Sequence, residues 1–372
     1  MQRMLVTATV IALVLVSLGI GAIAAHWPFW HRAWQWQTAA GGWPAQLAGP
    51  TFVLPPSASP WPLQLTVDAR LAPRAGESAT QLLLVGDAKG WVAGWSAPAV
   101  DVQALVDGRG LSIALLAPLF GALQQHTGRS VLDQPLRGLL DELHADLRGD
   151  ITPRQLLQEM SGLAAGRFTP LNPFSRRAQL SSGPNFDRAA LRTPLAWPPG
   201  SHFEPAPANA QLLSLVAGRL GGDGYASTLQ RLLWSRIAAH EAVGLLDHRR
   251  GSIAAHCCLA ASPMDWLRLG LLVASDGVIG TQRLLPQGYV AQMTLASPVH
   301  PGYGLGYGLI DVQGTTILVA ETPGRRLSIS PRSGRAVLWI GEGAAPRWQD
   351  ELLLPGAFGP AESGSADNGK GG

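Results

Sequence analysis

Lysine is almost absent from this chain of 372 residues: Lys89 and Lys370 are the only two, so 26 of the 28 Lys+Arg residues are arginine. Any mechanism that needs a buried lysine base therefore has two candidates. Cysteine is just as scarce, with Cys257 and Cys258 adjacent and no others. That excludes a disulfide framework and any multi-cysteine metal site. Neighbouring cysteines can bond only with a strained local geometry, so the pair reads as two buried small side chains. Charged residues make up only 14% of the chain, the formal net charge is +3, and the arginines are scattered, although the pI is about 9.2. A nucleic-acid footprint would gather them on one face or in runs, so no nucleic-acid partner is expected. The doublets Arg176-Arg177, Arg249-Arg250 and Arg325-Arg326 read as solvated surface. A hydrophobic share of 47% excludes general disorder, and 44 glycines with 29 prolines lack any collagen-like period. No repeat of solenoid length is present.

What the sequence does have is an uncharged run from Met4 to Ala25. At about 1.5 Å per residue it reaches about 33 Å, enough for a hydrocarbon core of about 30 Å. Trp27, Phe29, Trp30, Trp34 and Trp36 follow at once, amphipathic aromatics that favour a membrane boundary. Ala22-Ile23-Ala24 has the form of a signal cleavage site, but the apolar run is too long for an ordinary signal peptide. The expectation is an uncleaved single-pass anchor in the inner, cytoplasmic membrane. His26 onward would then lie on the periplasmic, extracytoplasmic side, although Arg32 keeps the basic bias across the span small.

Residues 37–62 are rich in Pro, Gly and Ala without periodicity, so the segment 26–62 reads as an aromatic collar followed by an extended linker. Strand patterns follow at Leu63–Asp68, Gln81–Gly86 and Gly90–Gly94, with an antiparallel pair expected there. Helical spacing covers Pro135–Leu163, with Thr152-Pro153 as a helix start, and then Leu212–Leu220, Leu229–Val243 and Met264–Ser275. Strand patterns return at Gly306–Val312, Thr315–Ala320, Arg326–Ser330 and Arg335–Gly341. The tail 361–372 is polar and Gly-rich and is expected to be disordered. Strands, a helical middle and strands again imply an α+β domain over 63–355, its sheet completed by both ends of the chain.

Asp150-Ile-Thr-Pro-Arg-Gln-Leu-Leu157 with Met160-Ser-Gly-Leu163 is similar to the segment that follows the nucleophile helix in β-lactamase-related serine hydrolases. Pro199-Gly200-x-x-Phe203-Glu204 with Gln211-Leu212-Leu213 resembles the same family, in particular its 6-aminohexanoate-dimer hydrolase branch. Asp265-Trp-Leu-Arg-Leu-Gly270, Asp276-Gly277, Leu284-Leu285-Pro286 and the run Gly302–Gly308 extend the resemblance over roughly residues 60–350. It implies a β-lactamase/transpeptidase-like fold, an antiparallel sheet plus a helical subdomain, here preceded by one transmembrane helix.

The resemblance also implies chemistry, and this chain departs from it at each motif. The family's S-x-x-K pairs a serine with a lysine one turn later, and a tyrosine on a second motif assists. The best match to the first motif is Ser112-Ile-Ala-Leu115, with leucine in place of lysine. Counting from Phe203 puts the tyrosine position at Pro205. In the third-wall segment Glu321-Thr-Pro-Gly324-Arg325 only Gly324 is kept. Pro118 also falls in the second turn of a helix begun at Ser112, at about 3 kcal/mol, unless the helix begins later. The expectation is a fold that has lost its reaction and binds a ligand in its cleft, a peptidoglycan fragment or small acyl compound by family resemblance. The alternative is an esterase or amidase using Ser112 with a non-lysine base such as His202 with Glu204.

No cofactor is expected. His256 reads as a core histidine because no further metal ligands are placed around it, and Asp265 and Arg268 read as an intrahelical ion pair. The Gly302–Gly308 run lacks the following helix and Gly-Lys-Ser/Thr ending of phosphate loops, so its glycines read as points of close backbone approach.

Overall fold

A computed structural model describes residues 2–38, 50–74 and 79–358. The expected disordered tail, residues 39–49 of the linker and the side chain of Trp36 lie outside the described residues. Alternation of apolar side chains builds the main sheet from both sides of the chain. Its strands are β2 (Gln64–Val67), β3 (Thr80–Asp87), β4 (Trp91–Ser96), β10 (Gly308–Val312), β11 (Thr315–Thr322), β12 (Arg325–Ser330) and β13 (Arg335–Gly341), in the order β10-β11-β12-β13-β3-β4-β2. The sheet is antiparallel except at its edge, where β2 runs parallel to β4, so only β3 and β4 form the expected antiparallel pair of the N-terminal strands. Leu82 and Leu84 face the helical side, while Leu83 and Val85 face the opposite layer with Trp339 and Leu353. A second sheet joins β1 (Thr51–Leu54), β6 (Ala242–Leu245), β7 (Leu259–Ala261) and β5 (Val106–Asp107) in the order β1-β6-β7-β5, and β8 (Val278–Ile279) pairs with β9 (Gln282–Arg283). The fold is α+β, with the sheet completed by both ends of the chain.

The helices are α1 (Gln2–Ala25), α2 (Trp27–Thr38), α3 (Leu116–Thr127), α4 (Pro153–Leu157), α5 (Arg176–Ser182), α6 (Phe186–Leu191), α7 (Pro207–Gly221), α8 (Tyr225–Leu229), α9 (Ser235–Ile237), α10 (Pro263–Ala274) and α11 (Tyr289–Met293). Every residue of α10 is buried. It lies on β3, β12 and β13, and Gly270 lets it do so: a Cβ there would stand 2.8 Å from Leu327 and 2.9 Å from Ala336.

Three sequence expectations change. Over 135–163 the leucines converge on the core, except Leu147, which is exposed, but only α4 is α-helical; the other helical pieces are 3-10 turns at Leu136–Gly138, Asp141–Leu143 and Leu147–Asp150. Gly149 is what the last of these turns needs, since a Cβ there would meet the Leu143 carbonyl at 2.4 Å. The helix expected over Leu229–Val243 becomes a π turn at Gln230–Trp234 and the short α9, then changes to β6, whose backbone pairs with β1 and β7. Residues 51–54 of the expected linker are themselves the strand β1. Pro118 carries no penalty because α3 starts at Leu116, which puts it in the first turn where no i−4 partner exists.

Thr152 caps α4 as its sequence suggested: its hydroxyl accepts from Gln155 N at 3.2 Å and Gln155 Oε1 accepts from Thr152 N at 2.9 Å. Thr152→Ala is expected to cost about 1 kcal/mol, read as a lowered midpoint of denaturant unfolding.

Along α1, Val10, Ile11, Leu13, Val14, Leu15, Val16, Ile20 and Ile23 are all exposed, so no other described element covers them. Among the described residues no single helix is long and apolar enough to cross a membrane. The pair Val10–Ala25 and Trp27–Trp34, bent by 67°, meets the length and composition requirement together. In contrast, α2 docks on the domain, with Phe29 and Ala33 buried against Ala178.

Candidate functional site

Ser112 stands in a 3-10 turn, Arg109–Leu115, immediately before α3. It is 2% exposed, and its hydroxyl donates to Arg109 O at 3.0 Å and accepts from Leu259 N at 3.2 Å. The side chain thus ties the turn to β7. Leu115 is buried in the main core, and Pro205 is exposed on the loop before α7. Neither His202 nor Glu204 turns toward Ser112. His202 stacks on Trp197 with ring centroids 4.0 Å apart and lies 2.9 Å from Ser201 Oγ, while Glu204 accepts from Ala165 N at 2.9 Å and Trp197 Nε1 at 2.7 Å. The candidate pair is committed to fixing the 197–204 loop.

The cavity that the fold offers lies beside this turn. It is a cleft of about 920 Å³ whose walls include Asp107, Arg109, Arg325, Glu342, Arg177 and Phe168, with His256 and the two cysteines also on its lining. Arg325 enters it from the first position of β12, where its Nε donates to Asp107 O at 3.0 Å and its NH1 to Gly324 O at 2.7 Å. Burial and the neighbouring Arg109 charge push the Arg325 guanidinium down to about 10, so it remains cationic at neutral pH. Arg109 approaches from the turn, with NH1 donating to Pro323 O at 2.5 Å and its own N–H to Asp107 Oδ1 at 2.8 Å. Burial raises the Asp107 carboxyl, an effect opposed by the Arg109 N–H and both guanidinium charges. The arrangement gathers two cations around the Asp107 carboxylate; over the whole lining Arg109, Arg177 and Arg325 are matched by Asp101, Asp107 and Glu342, so the positive charge that suits an anionic ligand group is local to the Arg109/Arg325 end of the cleft.

The doublet Arg325-Arg326 is therefore not solvated surface. Arg326 is 4% exposed and pairs with Asp350 at 2.8 Å and Glu321 at 2.5 Å. Cys257 and Cys258 are likewise not two independent thiols but a disulfide, with Cys258 at φ +75°. Tertiary packing holds that turn where local propensity would not.

Two Ser/His groupings form that their sequence spacing does not signal. Ser181 Oγ lies 3.2 Å from His256 Nε2 on the cleft wall. Burial and the Arg177 charge push the imidazole down to about 4, and its enclosed Nδ1 has no partner among the described residues, so the ring is neutral and a weak base without the carboxylate that would orient it. Ser262, His240 and Asp265 also converge. There, however, the serine (3.2 Å) and the aspartate (3.1 Å) both meet His240 Nδ1, whereas a relay needs opposite ring nitrogens. Ser262 is instead the N-cap of α10, and Asp265 is bonded to Arg268 at 2.9 Å, the expected intrahelical pair.

Tyr289 and Tyr307 donate to Ala117 O and Ala114 O at 2.8 and 2.7 Å, and burial raises Tyr225, Tyr289, Tyr303 and Tyr307 alike. In the Gly302–Gly308 run, Gly304 passes Met293 O so closely that a Cβ would stand 2.2 Å away, the structural role expected of it. Among the described residues no group of three His, Cys, Asp or Glu side chains is placed to hold a metal ion.

The β-lactamase family model matches residues 81–348. Among solved structures, a Bacillus anthracis protein described as a 6-aminohexanoate-dimer hydrolase is similar with a TM-score of 0.66 and 17% identity, covering 82% of this chain and 88% of that one. A Bacteroides dorei protein described as a β-lactamase gives 0.56 and 19%, covering 71% and 85%, and a penicillin-binding protein from Bacillus halodurans 0.52 and 16%, covering 73% and 94%. These likenesses concern the fold. No curated protein matches the sequence.

Proposed function

The chain belongs to the β-lactamase family, and from that premise we propose that it is a membrane-anchored, extracytoplasmic member which has lost S-x-x-K chemistry and binds a carboxylate-bearing acyl or peptide ligand. The observation that carries the reading is the contrast at the turn Arg109–Leu115: the Ser112 hydroxyl is occupied by two backbone groups, while Arg109 and Arg325 present charge to the cleft. Family resemblance favours peptidoglycan-type fragments, whose acyl-D-amino-acid ends carry such a carboxylate. Support for the anchor is the uncharged run Met4–Ala25 and its uncovered apolar side chains.

The test is calorimetric titration of the detergent-solubilised protein with N-acetyl-D-alanyl-D-alanine and with its C-terminal amide. The acid should bind and the amide should not. Arg325→Ala should weaken binding by about 10- to 100-fold, the worth of one charge-assisted hydrogen bond. Ser112→Ala should leave affinity unchanged, and no turnover of chromogenic esters, short amides or a β-lactam should be detected. Hydrolysis that Ser112→Ala abolishes would overturn the proposal in favour of an active serine hydrolase.

A further inference from the structure

Helix α2 is joined to α1 through His26 and bent from it by 67°. If α1 stands near the bilayer normal, α2 runs close to the membrane plane. Its inner side is fixed to the domain: Phe29 and Ala33 pack on Ala178, and the buried Arg32 donates to Gly183 O at 2.8 Å and to Asp247 O. On its other side Trp27 and Trp34 are 58% and 63% exposed. The loop before α5 adds three more exposed apolar side chains, Phe168, Leu171 and Phe174. Phe174 meets His26 edge-on with ring centroids 5.3 Å apart, which makes helix and loop one continuous patch.

The charge carried by the patch's own segments has one sign. Arg167 and Arg176 are exposed beside the loop aromatics, while neither residues 1–67 nor residues 160–186 contain an aspartate or glutamate. A pocket of about 450 Å³ between Arg167, Arg176, Arg177 and Phe174 has room for a phosphate group at its rim. Exposed tryptophan and phenylalanine with arginine, the neighbouring Glu204 carboxylate being taken up by Ala165 N and Trp197 Nε1, match the headgroup region of an anionic bilayer, where each cation adds attraction and the rings sit at the interface.

We infer that α2 and the loop 164–175 form a seat for an anionic phospholipid surface, which holds the α5 side of the domain against the bilayer. The inference rests on reading α1 as the anchor. Since Phe168 and Arg177 also line the large cleft, the seat sets that cleft beside the lipid surface.

The full-length protein is reconstituted into phosphatidylcholine vesicles with and without one third phosphatidylglycerol, and tryptic cleavage after Arg167 and Arg176 is timed on the outward-facing fraction. Resistance to alkaline carbonate extraction is scored in parallel. The expected result is carbonate resistance on both vesicle types and cleavage slowed at least about tenfold on the anionic ones. That protection should disappear in the triple variant Phe168→Ser/Leu171→Ser/Phe174→Ser, whose side chains are exposed and so leave the core intact. Equal cleavage on both vesicle types with carbonate resistance retained overturns the seat and leaves the anchor standing. Release by carbonate with protection retained at neutral pH supports the seat and overturns the anchor. Protection that persists in detergent micelles also overturns the seat, because the loop is then covered by protein.

Discussion

Replacing Asp265 with alanine is expected to destabilise the domain by about 3–5 kcal/mol, the cost of leaving a buried charge without its partner. The Asp265 carboxylate is 0% exposed and accepts from Ala239 N at 2.7 Å, His240 N at 3.0 Å, Ser262 Oγ at 2.8 Å and Arg268 NH1 at 2.9 Å. Removing it strands two backbone donors at the end of α9. Among the described residues it also leaves Arg268, 6% exposed, with only the Trp61 carbonyl at 3.1 Å to meet its Nε. Burial already lowers the Arg268 guanidinium, and the Asp265 charge is what opposes that shift. The double variant Asp265→Ala/Arg268→Met should therefore recover part of the loss, since it removes the orphaned cation along with its partner. Asp150→Ala serves as the contrast, because Asp150 pairs with Arg137 while its side chain is 63% exposed, and less than about 1 kcal/mol should be lost. Urea midpoints of the variants give the answer: a loss at Asp265 no greater than at Asp150 would show that the network contributes nothing beyond a surface pair.

This network also shows how far the sequence could be read. The spacing of Asp265 and Arg268 on one helix face is local, so the pair was legible, as were α10, the strands β10 to β13 and the cap at Thr152. What lay beyond reach depends on residues far apart in the chain. Arg326 finds Asp350 across 24 positions and Arg325 meets the Asp107 carbonyl across 218, so a doublet that looks like solvated surface divides into one core cation and one cleft cation. The periodicity over 135–163 failed for a different reason. Leucines at helical spacing mark a buried side, but Gly149 and the successive tight turns bury Leu136, Leu140 and Leu143 without a helix and leave Leu147 exposed. Ser112 was legible as a serine ahead of a helix; its bond to Leu259 N, 147 positions away, was not. A signal for the cleft cations did exist, since Gly108-Arg109-Gly110 and Gly324-Arg325 each set an arginine beside glycine, where chains come close together.

Stability should fall as pH rises from about 4.5 to about 7, and one buried carboxyl accounts for the effect. Glu159 is 6% exposed, and burial pushes its pKa from 4.5 up to about 7, opposed by the Asn209 amide and the Ala206 N–H. Between those values the folded chain holds a proton that the unfolded chain has released, so the native state binds more protons and unfolding becomes easier with rising pH. The full contribution is present below 4.5 and is gone above the folded pKa, a change of about 3 kcal/mol. Glu159→Gln imitates the protonated form. Ser161 Oγ donates to Asn209 Oδ1 at 2.6 Å, which fixes the Asn209 amide with Nδ2 toward position 159, where a glutamine oxygen accepts as the glutamate does now at 2.5 Å. The variant should match the wild type near pH 4 and exceed it by up to about 3 kcal/mol at pH 8. Equal pH slopes for the two proteins in denaturant titrations would rule the assignment out. The consequence reaches the cleft, because Glu159 Oε2 also accepts from Ala206 N at 3.1 Å and its carbonyl from Glu204 N at 2.8 Å. These two bonds tie down the loop that carries Pro205 and leads into Pro207 on the cleft wall. Ligand affinity measured at pH 5 and pH 8 should therefore change less in Glu159→Gln than in the wild type.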